Sequence, residues 1–319
     1  EDRMSDKARR IVAAAIRKYG LLVLTACTGL ALSYAAFQAV AGRSERVAAL
    51  ELAGRANDHR LVVQSGLTIH LNKLTGLRAL YKASDDVTRG EFQKFGDEIL
   101  SGQDALLSVN FIARVPHAER DAHERAIRGE AGFADYRIKL PVSGGDTIPA
   151  PARSEYFPIV YASAAQPGSP LYGLNLGDGG VRQATLERAR DADELTTSLQ
   201  MPIRTGEAGR RGFFAILPVY RSGQPHETVE DRRKNLIGFV QAMFRTGALI
   251  DTILSENVSP SGLDMYFFDE RPGEGATPIH VYFSRKRTAP VEPLSVQALK
   301  AGPHSSGQID SGDRSWTMI

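Results

Sequence analysis

The sequence predicts an α+β fold: an N-terminal transmembrane helix, a long stalk helix, then two α/β lobes with mainly antiparallel sheets. Three observations predict it. Tyr19 to Gly42 contains no charged residue. Leu67, Leu71, Leu74, Leu77 and Tyr81 recur at spacings of three and four, which places them on one helical face. Beyond Ser84 short apolar strands and helices mix without the regular strand-helix alternation of a doubly wound sheet.

The uncharged run is long enough to cross the ~30 Å hydrocarbon core as a helix rising ~1.5 Å per residue. Tyr19, Tyr34 and Phe37 lie toward its ends, where amphipathic rings favour the membrane interface. Lys7, Arg9, Arg10, Arg17 and Lys18 precede it, and Arg43 and Arg46 follow, interleaved with Glu45 and Glu51. The basic excess is N-terminal, so residues 1–18 are expected to be a cytoplasmic tail and 19–42 an inner-membrane span. Everything from Arg43 onward is then expected outside the cytoplasm. Two other readings stay open: a buried core helix, and a signal peptide cleaved after Ala39-Val40-Ala41, although the apolar run exceeds the ~7–15 residues of such a leader. Glu1 and Ile319 are read as ends within a longer protein.

Residues 43–84 read as the stalk helix, uninterrupted by proline. Its apolar stripe suits pairing with a second copy, packing on its own domain, or each along a different part of the helix. Asp85 or Asp86 is expected to cap a second helix running through Phe92, Phe95 and Leu100. Leu106 to Val115 reads as a buried strand, His117 to Gly129 as a charged exposed helix, and Tyr136 to Val142 as a short strand before the Ser143-Gly144-Gly145 loop. Tyr156 to Ala162 is a strand and Gly180 to Ala192 a helix. Thr197 to Arg204, Gly212 to Tyr220 and Leu236 to Phe244 are strands, Arg245 to Leu254 a helix, and Leu263 to Phe268 and His280 to Ser284 later strands. The expected lobes are 85–206, farther from the membrane, and 207–319, nearer to it. Trp316 suggests a closing strand.

Composition excludes several classes. Hydrophobic residues make up 42% and charged residues 24%, with a net charge of +2, too small to argue for nucleic acid. The single Cys27 rules out an internal disulfide. The histidines show no HExxH spacing, and His117 and His123 imply no third metal ligand. Gly173 to Gly180 (GLNLGDGG) lacks the Lys-Ser/Thr of a phosphate-binding loop and reads as a strand-to-helix turn. Gly209-Arg210-Arg211-Gly212 reads as a hairpin turn. Asp191 and Asp193 suit a helix end better than acid-base work. No catalytic residue, metal site or cofactor is expected.

Residues from about Thr75 to Leu254 resemble a CHASE domain, the extracellular sensory module of histidine kinases, cyclases and related receptors. The resemblance rests on the order of several segments: Leu77 to Phe92, Arg114-Val115 followed by Glu119-Arg120, Tyr156-Phe157-Pro158-Ile159-Val160-Tyr161, Gly173-Leu174-Asn175, Ala184 to Arg190, Leu217-Pro218-Val219-Tyr220, and Gly238 to Arg245. It implies two PAS-like lobes on a long helix, a homodimer through that helix, and a small-molecule ligand in the lobe farther from the membrane. A second membrane span and a cytoplasmic kinase, cyclase or phosphodiesterase module are expected beyond Ile319. The pocket positions implied are Phe111, Tyr161, Ala164, Leu186, Thr197 and Tyr220. In the family's plant cytokinin receptors an aspartate after the Tyr-x-Pro strand anchors adenine. Here Ala162-Ser163-Ala164-Ala165 carries no carboxylate, so adenine-type cytokinins are not expected to bind tightly. An anchored periplasmic protein-binding scaffold and an anchored hydrolase are the alternatives to a small-molecule sensor.

Overall fold

The structure is a computed structural model that describes residues 2–84, 86–142, 146–163, 165–203, 211–257, 262–284 and 292–319. It comprises two compact units, Glu1–Gly54 and Arg55–Ile319. Helix α1 (Asp2–Ala83) covers both the expected span and the expected stalk as one element.

In the first unit the apolar run carries many solvent-facing side chains, with Leu22, Leu30 and Phe37 about two-thirds or more exposed. The hydroxyls of Thr25 and Thr28 donate to the carbonyls of Leu22 and Leu24, at 3.0 and 2.8 Å. Polar groups satisfied on their own helix are what a hydrocarbon environment requires. The segment is long and apolar enough to cross a membrane.

In the second unit the stripe behaves as its spacing predicts. Leu67, Leu71, Leu74 and Leu77 are buried, as is Tyr81, and Val63 extends the row by one turn. They pack on this chain's own sheets, beside Phe213, Val240, Phe244 and Trp316. Of the uses open to the stripe, these residues take packing on their own domain. Leu61 and Ile69, on the opposite face of the helix, are 49% and 61% exposed.

After α1 comes α2 (Arg89–Leu100), whose cap is Thr88 rather than the expected Asp86. Glu91 and Thr88 form a reciprocal capping box that satisfies two orphan helix donors. Asp85 lies outside the described residues. Then follow β1 (Leu106–Ala113), β2 (Val115–Pro116), α3 (Arg120–Arg128), β3 (Lys139–Pro141), β4 (Thr147–Pro149), β5 (Glu155–Tyr156) and β6 (Ile159–Ala162). Pro158, which has no N–H to donate, separates β5 from β6. Helix α3 is less exposed than expected: Ile127 is buried, and so is Glu124, which accepts from Arg120 and from the Ile138 amide. The Ser143 to Gly145 loop lies outside the described residues.

Helix α4 (Gly180–Ala192) has the expected bounds. It is followed by β7 (Thr196–Thr197), β8 (Met201–Pro202), β9 (Arg211–Tyr220), α5 (Val229–Asn235), β10 (Leu236–Arg245) and α6 (Thr246–Asn257). Gly209 and Arg210 of the expected hairpin turn lie outside the described residues. The main sheet has the order β6-β1-β10-β9-β7, with β8 also on β9, and its pairs are antiparallel. Its centre joins Asn110 to Gln241, across 131 residues of sequence. The lobe boundary expected between 206 and 207 therefore falls inside this sheet. Strands β9 and β10 belong with β1, not with the C-terminal lobe.

The second sheet contains β11 (Met265–Asp269), β12 (His280–Tyr282), β13 (Gly307–Ser311) and β14 (Arg314–Met318), in the order β12-β11-β14-β13. Helix α7 (Val296–Ala301) contributes Val296 to a small cluster with Tyr266 and Phe268. Trp316 stands on β14, an interior strand between β11 and β13, and is buried against Phe213 of the first sheet. Along α1 the second sheet is met first, through Arg60 to the Gln308 carbonyl and Gln64 to Asp310. The main sheet is met later, at Tyr81.

Candidate functional site

Alternation along the strands gives the main sheet two different faces. Phe111, Val240, Leu217 and Phe213 face the cluster that includes α1. Ile112, Phe239, Ile216 and Tyr220 face a second cluster, roofed by Leu186 and Ala189 of α4 and by Phe157 and Leu176.

Beneath α4 lies a cavity of about 240 Å³, lined by Arg153, Glu155, Phe157, Gly177, Gln183, Leu186, Glu187, Arg190 and Phe239, with Ser154. Its floor is aromatic: the rings of Phe157 and Phe239 lie 5.8 Å apart at 58°. Its rim carries two guanidinium and two carboxylate groups. Glu155 is held by Arg114 at 2.7 Å, with Arg190 3.9 Å from its other oxygen. Arg190 also pairs with Asp191, which Arg233 grips from the other side. The Arg233 hydrogen bond, then Arg190, hold the Asp191 carboxyl down to about 2. The stability from this bridge is thus complete above the ordinary carboxylate range near pH 4, and is lost only as pH falls from there toward 2.

The Gly173-Leu174-Asn175 element builds the wall beside this cavity. Asn175 is fully buried and its Oδ1 accepts from the amides of Phe157 and Gly177, at 2.7 and 3.2 Å. Its Nδ2 finds no partner among the described residues. A buried side-chain oxygen that accepts two backbone N–H groups gives this polar residue its role at the position.

Helix α4 is tied to its surroundings through its C-terminal half. Asp193, the left-handed residue that ends it, pairs with Arg78 of α1 at 3.0 Å. Arg188, one residue from the cavity-lining Glu187, pairs with Asp313 between β13 and β14 at 2.9 Å. The Asp313 carboxylate also accepts from the Thr197 amide, at 2.9 Å.

The sequence-predicted site residues separate into distinct places. Leu186 lines the cavity beneath α4. Phe111 and Tyr161 line another, of about 390 Å³, on the α1 face with Tyr81. Phe111 stacks on Tyr81 at 4.4 Å and lies 6.0 Å from the Tyr161 ring. Tyr161 is backed by the Arg89 guanidinium, 4.9 Å from its ring, and burial pushes its hydroxyl pKa up. Thr197 is buried at the joint between the sheets, its Oγ1 donating to the Ser311 carbonyl at 2.6 Å. Tyr220 is buried against α4, its hydroxyl donating to the Arg190 carbonyl at 2.6 Å. Ala164 lies outside the described residues. His117 and His123 bond the hydroxyls of Tyr156 and Tyr136. Sequence reasoning did not single out Arg153, Glu155, Phe157, Arg190 or Phe239. The signal for Phe239 was its parity in β10, one step out of phase with Val240.

A curated relative is 27% identical over 129 residues: hybrid signal transduction histidine kinase A of Dictyostelium discoideum. That alignment covers 38% of this chain and 6% of the relative, so the chain matches only a small part of its length. Among solved structures, the ligand-binding domain of a Pseudomonas aeruginosa amino acid chemoreceptor in complex with GABA is 12% identical. That match covers 85% of this chain and 97% of that one, at a TM-score of 0.42. The periplasmic sensory domain of a Campylobacter jejuni chemoreceptor is also 12% identical, covering 84% and 92% at 0.44. An extracellular ligand binding receptor from Desulfohalobium retbaense is 9% identical, covering 82% and 38% at 0.45. Residues 85–280, well over half the chain, match the CHASE domain itself, and the chain belongs to that family of sensory input domains.

Proposed function

We propose that this chain is the extracytoplasmic input domain of a transmembrane receptor whose signal is a small polar metabolite bound beneath α4. The observation that carries this reading is that one helix both roofs a cavity and holds the two neighbouring elements, α1 through Arg78–Asp193 and the second sheet through Arg188–Asp313. At about 240 Å³ the cavity falls below the ~300 Å³ lower end of drug-sized pockets, which suits a compact metabolite. Its charges balance over an aromatic floor, a pattern that suits a zwitterion or a small neutral polar molecule.

A ligand shifts an equilibrium only through unequal affinity for two states. A molecule held between the floor and α4 favours the arrangement in which α4 sits closest to the sheet, and the two ion pairs carry that preference to α1 and to the second sheet. The N-terminus lies in the cytoplasm on this reading, because the basic residues precede the span. On the same reading the receptor's output module is a histidine kinase, a diguanylate cyclase or a phosphodiesterase. A homodimer forms through the face of α1 that carries Leu61 and Ile69, since the opposite stripe is filled by the chain's own core.

Thermal melting of the chain in detergent micelles against a library of small metabolites tests the ligand. A compound at about 100 times its dissociation constant adds ~2.7 kcal/mol of stability. A hit whose shift disappears in Gln183→Trp, which fills the cavity mouth, is the expected result. A library without hits moves the reading to a protein-binding scaffold.

A further inference from the structure

We propose a second ligand site on the opposite, α1-facing side of the main sheet, taking a small planar aromatic molecule that bears a carbonyl or carboxylate oxygen. The site is the cavity of about 390 Å³ lined by Tyr81, Phe111, Tyr161 and Ile237, with Asp86 and Arg221 among its polar residues. It is larger than the cavity beneath α4, and it does not depend on the reading of that one. Two features specify the ligand. First, the wall is aromatic: Tyr81 and Phe111 are nearly parallel at 17°, and Tyr161 is tilted 31° to Phe111, so a flat ring finds faces and edges to pack on. Second, the Tyr81 hydroxyl is buried without a partner among the described residues, on a residue only 8% exposed. A buried O–H lacking an acceptor costs free energy that a ligand oxygen recovers. The exposed Arg221 supplies a cation for a ligand that is a carboxylate.

The position has a consequence for signalling. Tyr81 stands in the last turn of α1, while Phe111 and Tyr161 belong to the sheet. A molecule wedged there bears on the helix directly, by a route separate from the α4 ion pairs.

Calorimetric titration of the full chain in detergent micelles with benzoate and benzamide tests the site. The expected result is saturable binding of at least one probe, one per chain, at millimolar concentration or below. Tyr81→Phe keeps the ring stack and removes only the hydroxyl. It is expected to leave the free protein as stable as before or more so, while weakening the bound probe about fivefold. Ile237→Trp is expected to abolish binding by filling the cavity, and Leu186→Trp, on the other face, to leave it unchanged. Absence of saturation by both probes overturns the proposal. So does binding that Tyr81→Phe leaves intact, or a loss of stability in the free Tyr81→Phe protein, which would mean that the hydroxyl has a partner.

Discussion

Trp316→Ala is expected to lower the stability of the second unit by about 3–5 kcal/mol and to do so in a single transition. The Trp316 side chain is 2% exposed and meets the Phe213 ring edge-on at 5.2 Å. Phe213 in turn stacks on Phe244 at 5.3 Å. Trp316 stands on β14 of the second sheet, whereas Phe213 and Phe244 stand on β9 and β10 of the first. The same cluster takes in Leu67 and Leu74 of α1. Truncation at Trp316 thus opens a cavity in a core that both sheets and the helix share. Each kilocalorie shifts the midpoint by roughly 2–4 °C in a domain of this size, so a drop near 10 °C is expected in a calorimetric scan. Two separate transitions, with only the smaller one shifted, would mean that each sheet has a core of its own.

The second large effect is expected at Gly173. Its φ is +78°, in the region that a side chain disfavours, and a Cβ there meets the Arg137 carbonyl oxygen, which is backbone and cannot swing away. Its amide donates to the Ile159 carbonyl and its carbonyl accepts from the Lys139 amide, both at 2.9 Å, so the backbone cannot relax without losing ladder bonds on two sides. Gly173→Ala is expected to cost about 3–5 kcal/mol, from conformational strain and the clash together. Gly168→Ala is the control: φ there is +84°, yet the Cβ meets nothing, so only the conformational part remains. Chemical denaturation of the two variants separates the terms. Equal losses would mean that the close approach at Gly173 is relieved elsewhere.

Local pattern carried much of this fold. The stripe from Leu67 to Tyr81 was legible because a helix repeats every 3.6 residues and one face is buried. Helix α4 was legible to the residue, since the glycines that turn into it and the Asp-rich turn after it mark both ends. What was not legible was non-local. The pairing of β1 with β10 spans more than a hundred residues, and no periodicity in either strand announces its partner. This is why the boundary at 206/207 divided strands that share a sheet.

The grouping of the candidate pocket positions was not legible, for the same reason. Phe111 and Leu186 both read as pocket positions, yet they lie on opposite faces of the sheet, because α1 covers one face and α4 the other. The charged rim of Arg153, Glu155 and Arg190 gathers from a strand approach and a distant helix, and only the fold brings them together.

Hydrogen exchange of the chain with and without a melting hit tests the central claim most directly, that a metabolite beneath α4 is sensed and passed on through that helix. The account predicts slowed exchange in α4 and at residues 153–157, together with changed exchange at residues 311–314, where Asp313 meets Arg188. That second change should vanish in Arg188→Ala while protection of α4 persists. Protection confined to residues away from α4, or a response at 311–314 that survives Arg188→Ala, would contradict it.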